Sequence, residues 1–160
     1  MSNEVASSQP TRGEMVRRVQ GGLRHLTQKL HRLNDAVGAK VELLQGDLAV
    51  LDLVDRNGPM SARDISDTTG VHPATLTGIL DRLEQGGWLV RHPDPDDRRR
   101  VRIETLPDRG GELLRLYAPM NRAITKLCAG YSSKELAAIV DFLERAAAAG
   151  DDAAGDVRSS

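Results

Sequence analysis

Apolar residues recur through the first quarter of the chain at Val16, Val19, Leu23, Leu26, Leu30, Leu33 and Val37. The steps alternate between three and four, which draws a narrow apolar seam along one long helix. About 25 helical residues reach ~37 Å. That is longer than a small domain needs, so a subunit interface is favoured over a core helix of the same chain. Gly21 and Gly22 weaken the helix locally. A break near 42–46 precedes a second helix, about 46–57, with Leu48, Leu51 and Val54 inward. Asn57-Gly58 stops it, and Pro59 prevents continuation. Ser61 with Asp64 makes a capping-box pair, which opens a short helix over about 61–68 that Gly70 ends.

Pro73 suits the first turn of the next helix, where a missing N–H costs little, and His72 falls at its cap. Leu76, Ile79, Leu80 and Leu83 form an i, i+3, i+4, i+7 stripe that predicts a buried face. The opposite face carries Ala74, Thr75, Thr77, Gly78, Asp81, Arg82 and Gln85. Two short helices joined through Gly70-Val71 make a helix-turn-helix. Trp88 to His92 reads as a strand, and Pro93-Asp94-Pro95-Asp96-Asp97 as a turn built on fixed φ and aspartate hydrogen bonding. The return strand alternates Val101, Ile103 and Thr105 with Arg100, Arg102 and Glu104. A hairpin after a helix-turn-helix is a winged helix.

Beyond Pro107 a helix carries Leu113, Leu116, Tyr117, Met120, Ile124, Leu127 and Cys128 at helical spacing, and Pro119 inside it predicts a kink. Thr105 with Asp108 is the candidate cap for this helix. Gly130 ends it, and Ser132 with Glu135 opens a last helix through Leu136, Ile139, Val140 and Leu143. That helix fades over Ala146 to Gly150. The expected fold is mostly α with a small β-wing: a winged helix-turn-helix whose N- and C-terminal helices form a dimerisation region. The expected boundaries are 1–11 disordered, 12–45 an N-terminal dimerisation helix and 46–106 the DNA-binding winged helix. The C-terminal dimerisation helices follow at 107–149, then a disordered acidic tail at 150–160.

Composition narrows this little further. At 160 residues the chain holds one domain, or one domain with a helical appendage. Aromatics are only 2%, so Leu, Ile, Val and Ala must build the core. No apolar run approaches the ~18 residues that span a membrane, and residues 1–11 lack a signal-peptide apolar region. A cytoplasmic location is therefore expected. A single cysteine, Cys128, excludes an intrachain disulfide and a cysteine-based zinc site, and it reads as a buried small hydrophobe. The four histidines are not at metal-ligand spacings, and no metal or cofactor is expected.

A net charge of −1 is not that of a bulk nucleic-acid coat. Phosphate contacts work over ~10 Å or less, however, and basic residues concentrate between Arg91 and Arg102. A helix followed directly by a basic hairpin suits duplex DNA. The helix enters the major groove, and hairpin arginines reach phosphates or the minor groove.

These residues resemble the MarR family of bacterial transcription regulators. The match runs through Asp64-Ile65-Ser66 and through Gly70-Val71-His72-Pro73-Ala74-Thr75-Leu76-Thr77-Gly78-Ile79-Leu80-Asp81-Arg82-Leu83-Glu84. It continues in Gly87-Trp88-Leu89-Val90-Arg91 and in the wing run Asp94-Pro95-Asp96-Asp97-Arg98-Arg99. It covers about 13–148 in element order and about 60–105 in motif detail. Two departures stand out. Thr105-Leu106-Pro107-Asp108-Arg109-Gly110 reverses and stretches the family's wing closure, and Gly78 replaces a long basic side chain common in the family.

The resemblance implies a homodimer on a pseudo-palindromic operator with half-sites ~10 bp apart, repression as the usual mode, and no enzymatic activity. The implied interface residues are Val16, Val19, Leu23, Leu26, Leu116, Met120, Leu136 and Leu143. The recognition-helix contact candidates are His72, Ala74, Thr75, Thr77 and Arg82, with Arg82 on phosphate. The threonines read equally as helix surface, and His72 as a cap. In the wing, Asp97 resembles the brace of Arg99, and Arg98 or Arg99 enters the minor groove. Arg100 and Arg102 serve phosphates or form a solvated strand face. A small aromatic effector is a candidate partner, with Arg24, His25 and Tyr117 as cleft residues against a core or solvent role. Two other readings are a winged-helix dimer used for protein contact and a non-catalytic accessory domain. No glycine-rich phosphate loop, nucleophile elbow or metal cluster supports catalysis.

Overall fold

A computed structural model describes residues 10–95, 97 and 100–159. Its elements are α1 (Arg12–Val41), α2 (Gln45–Asn57), α3 (Ala62–Thr69), α4 (Pro73–Gln85), β1 (Leu89–Pro93), β2 (Val101–Thr105), α5 (Pro107–Cys128) and α6 (Ser133–Ser159). The winged helix-turn-helix read from the sequence is the observed architecture. None of the described helices is long and apolar enough to cross a membrane.

Each short helix begins where its capping chemistry lies. Ser61 Oγ accepts the N–H of Asp64, and the Asp64 carboxylate accepts the Ser61 N–H and hydroxyl. Pro73 takes the first turn of α4, and His72 Nδ1 accepts the Ala74 N–H at 3.2 Å. Thr11, expected within a disordered N-terminus, instead caps α1 through a reciprocal box with Glu14. A helix start with Thr and Glu three residues apart satisfies two orphan donors, which is why order reaches back to Thr11.

The corner between α1 and α2 is tight. Glu42 takes a left-handed φ of 58°. A Cβ on Gly38 would stand 2.3 Å from the Leu43 carbonyl oxygen, so only glycine fits there. Val37 and Val41 are buried beside Leu48, Leu51 and Val54 of the core. This end of α1 thus belongs with the winged helix, and the expected boundary at 45 does not separate them. The chain divides into two compact units, Met1–Leu113 and Leu114–Ser160.

In the first unit the predicted stripe of α4 is buried whole: Leu76, Ile79, Leu80 and Leu83 all face the core. Ile65 of α3 joins them at 0% exposure. The sheet is one antiparallel pair, from Leu89↔Thr105 to Pro93↔Val101. Trp88 lies before the strand because its N–H still donates to Leu83 O, at the end of α4. Gly87, at φ 69°, makes that reversal. Met60 exchanges two backbone hydrogen bonds with Ile103, which fastens β2 to the segment before α3.

Two expectations fail around α5 and α6. Thr105 does not cap α5. It stays in β2 and donates its hydroxyl to Asp55 Oδ1 at 3.4 Å, while Pro107, with no N–H to satisfy, starts the helix. The helix assignment of α5 runs on past Pro119 to Cys128. The expected tail at 150–160 is helical to Ser159 as a continuation of α6. Gly150 and Gly155 each cost about 1 kcal/mol in a helix, and the alanines around them have the highest helix propensity. The Ser132–Glu135 box opens α6 as expected.

The Asp64 carboxyl is held below the ordinary aspartate range by hydrogen bonds from the Ser61 hydroxyl and then the Ser61 N–H. A lowered folded pKa stabilises the fold above the unfolded carboxylate value of about 3.9, and the contribution fades as pH falls through the folded value. A side-chain NMR titration of Asp64 should give a midpoint below the usual range, and Ser61→Ala should raise it. An identical midpoint in the variant would contradict this cap.

Candidate nucleic-acid interface

The outer face of α4 is built from short side chains. His72, Ala74, Thr75 and Thr77 are exposed on its first turns, as the sequence suggested. Thr77 Oγ1 donates to Pro73 O at 3.0 Å, and His72 caps the helix through Nδ1. Gly78 stands beside Arg82, whose Nη1 would lie 3.8 Å from a Cβ placed there.

Arg82, expected on phosphate, is engaged by a carboxylate of the fold. Its Nη2 lies 2.7 Å from Oδ1 of Asp47, a carboxylate only 1% exposed. The other Asp47 oxygen accepts the Leu44 N–H at the start of α2. The hydrogen bond to Asp47 outweighs burial and raises the Arg82 pKa above its ordinary value. A charged carboxylate held from two sides therefore ties α4 to α2. The sequence reading missed Asp47. Its place in the first turn of α2 shows its capping role, whereas its partner lies 35 residues away.

A second clamp joins α4 to the wing. Arg91 Nη2 contacts Asp81 Oδ1 at 2.7 Å, Nη1 contacts Glu84, and the Arg91 N–H donates to the same Glu84 carboxylate. Burial opposes the charge on Arg91, and the Asp81 and Glu84 hydrogen bonds overcome it, so its pKa is raised. Arg109, in the departed wing closure, lies 3.9 Å over the Trp88 ring and donates to Gly86 O. A cation on an indole face explains why an arginine there braces the strand turn.

The hairpin loop is held from below. Arg102 Nε contacts the buried Asp94 at 2.6 Å, and Nη1 donates to Pro59 O. Arg102, expected on phosphates or on a solvated strand face, thus has its guanidinium at the foot of the wing beside the buried Asp94. The Asp97 N–H donates to Asp94 Oδ1, and the Asp97 carboxylate lies 3.5 Å from Arg100 Nε. The expected brace of Asp97 on Arg99 and the groove contacts of Arg98 and Arg99 lie outside the described residues. Arg100 has 75% of its side chain exposed at the wing. It remains available to phosphate.

Along α1, Val16, Val19 and Leu26 are more than 40% exposed, and Leu23 is half-buried. In the second unit Leu143 is 48% exposed, and Leu116, Met120 and Leu136 are half-buried. Cys128 is half-exposed rather than buried, so its helix face is not closed within its own unit. Arg24 and His25 are exposed on α1, and Tyr117 is half-buried in α5. Among the described residues no three metal-ligating side chains gather.

Residues 44–101 match the family model described as the MarR family. The chain is 30% identical over 141 residues to the HTH-type transcriptional regulator YcgE of Bacillus subtilis (strain 168), covering 88% of this chain and 92% of that one. It is also 30% identical over 126 residues to the HTH-type transcriptional repressor NicR of Pseudomonas putida, covering 76% and 79%. Among solved structures, a MepR mutant from a multidrug resistant S. aureus clinical isolate shares the fold with a TM-score of 0.71 at 14% identity, over 82% of this chain and 96% of that one. A MarR family protein from Bacillus stearothermophilus does so with a TM-score of 0.65 at 17% identity, over 85% and 95%. The exposed face of α4, the braced wing and these relationships agree: the chain belongs to the MarR family and is a DNA-binding transcriptional regulator rather than an enzyme.

Proposed function

We propose that this chain is a repressor that binds a pseudo-palindromic operator as a homodimer. In this reading the α4 of each protomer lies in the major groove and each wing reaches the minor groove. The observation that carries it is the contrast within one rigid block. The inner face of α4 is fully buried, its C-terminal part is clamped through Arg82 to Asp47 and through Asp81 and Glu84 to Arg91, and its outer face is exposed beside a wing bearing Arg100. A helix packed along one face, clamped near its C-terminus and open on the other face is preorganised for a groove. The resemblance and relatives such as the repressor NicR support repression, and a repressor of this kind acts in the compartment that holds the chromosome.

The homodimer rests on the exposed apolar residues of α1 and of the second unit. Such faces on separate helices call for a partner surface, and two-fold symmetry is its commonest form. Half-sites then fall ~10 bp apart, one helical turn. A small aromatic effector would act by changing the separation of the two winged helices.

Binding to the chain's own upstream DNA, followed by fluorescence anisotropy at moderate salt, tests the reading. Specific binding is expected. Its complete absence would favour the protein-contact alternative. Arg100→Ala should flatten the log–log salt slope by about one unit for each phosphate the side chain neutralises. Alanine variants of Arg98 and Arg99 that bind with unchanged affinity would remove the wing from the mechanism.

Arg82→Met should lower stability in urea by about 1–3 kcal/mol, because Asp47 loses its charged donor while remaining buried. A phosphate-only role for Arg82 would give the opposite pattern: unchanged stability and a shallower salt slope. Val19→Glu should shift the sedimenting species from dimer to monomer and weaken operator binding by roughly tenfold or more, because the avidity of paired half-sites disappears. A wild-type chain that sediments as a monomer at micromolar concentration would overturn the dimer.

A further inference from the structure

Building on the proposed major-groove placement of α4, we infer that this helix reads pyrimidine 5-methyl groups, supplied by thymine, and lacks hydrogen-bond readout of guanine. The N-terminal turns of a recognition helix are the part that meets base edges. In α4 those turns run from Pro73 to Gly78, and their outward positions are Ala74, Thr75, Thr77 and Gly78. None reaches further than a threonine. Bidentate guanine reading needs Arg or Lys, and bidentate adenine reading needs Asn or Gln. Neither class occurs in this stretch.

Beyond it, three of the longer polar side chains of α4 are engaged in ion pairs, and Gln85, exposed in the last turn, lies two turns past Gly78. Arg82 is tied to Asp47, and Asp81 and Glu84 to Arg91. The donor capacity of the threonines is reduced as well. The Thr77 hydroxyl donates to Pro73 O, which leaves its methyl as the outward group. Thr75 keeps a hydroxyl without a partner among the described residues, enough for one bond to either type of base pair. Between the His72 cap and the Arg82 guanidinium, what the helix presents is the Ala74 methyl, two threonine methyls and the side-chain-free Gly78.

Ala74 and Gly78 stand one turn apart, opposite the buried Leu76–Ile79–Leu80–Leu83 stripe, so they form the crest that approaches the groove floor most closely. The 5-methyl of thymine is the apolar group that a base pair displays in the major groove. A methyl crest with no long donor is complementary to it.

The test uses the full-length protein and a random-sequence library of unmodified duplex DNA, in which thymine is the sole source of the 5-methyl. The recovered duplex is then resynthesised with deoxyuridine at single thymines. This removes the methyl and leaves every hydrogen-bonding group in place. Removal of one contacted methyl should weaken binding about fourfold, and of both symmetric methyls roughly fifteenfold. Replacing guanines under α4 by 7-deazaguanine should change little.

Gly78→Arg, whose Cβ would meet only the tip of Arg82, should create a dependence on guanine N7 that the natural chain lacks. Equal binding of deoxyuridine and thymine duplexes, or sensitivity to 7-deazaguanine in the natural chain, would overturn this inference while leaving DNA binding intact. A Gly78→Arg chain with unaltered base dependence would show that the crest does not face bases, and would overturn it too. Failure to recover any duplex would instead strike the proposed function itself, and this inference with it.

Discussion

Asp47 sits in the first turn of α2 with 1% of its surface exposed, and from there it accepts the Leu44 N–H and the Arg82 guanidinium. A buried carboxylate without such partners would be costly to ionise. Its two donors come from the start of α2 and the last turn of α4, so satisfying the charge fixes the spacing of those helices. The outer face of α4 inherits its position from that bond and from the packing of Leu83 and Leu80 beneath it.

The arginines of the winged helix divide by neighbourhood rather than by spacing. Arg82, Arg91, Arg102 and Arg109 are each met by a carboxylate, and Arg109 also by an indole face and a carbonyl. They work as braces. Arg100 also lies 3.5 Å from the Asp97 carboxylate, yet keeps 75% of its side chain exposed. Bracing the wing by charge pairs makes it rigid without a larger core, which matters in a chain with 2% aromatics. It also fits a net charge of −1 in a DNA-binding protein, because each brace neutralises an acidic neighbour and leaves the surface field to a few exposed cations.

Periodicity made much of the fold legible. The buried stripe of α4, the inward residues of α2, the Ser61 and Ser132 caps and the presence of the hairpin all follow from local spacing, turn and capping rules. The exposed contact candidates His72, Ala74, Thr75 and Thr77 were legible for the same reason: they are what remains when the stripe is buried. The misreadings share another cause. Arg82 and Arg102 were read without their acidic partners, because Asp47 and Asp94 lie on other elements. Thr105 looked like a cap because its partner Asp55 is 50 residues away. The helical tail to Ser159 was hidden by two glycines and a run of acids, against which alanine propensity prevails.

The sequence by itself determined the order of helices and strands, which face of each is apolar, and the family to which the chain belongs. Those depend on neighbours within one or two turns, and such neighbours are written consecutively. The tertiary structure alone decided which charged groups are paired across elements and which stay exposed. An ion pair needs two side chains within about 4 Å, and that distance is set by how whole helices pack.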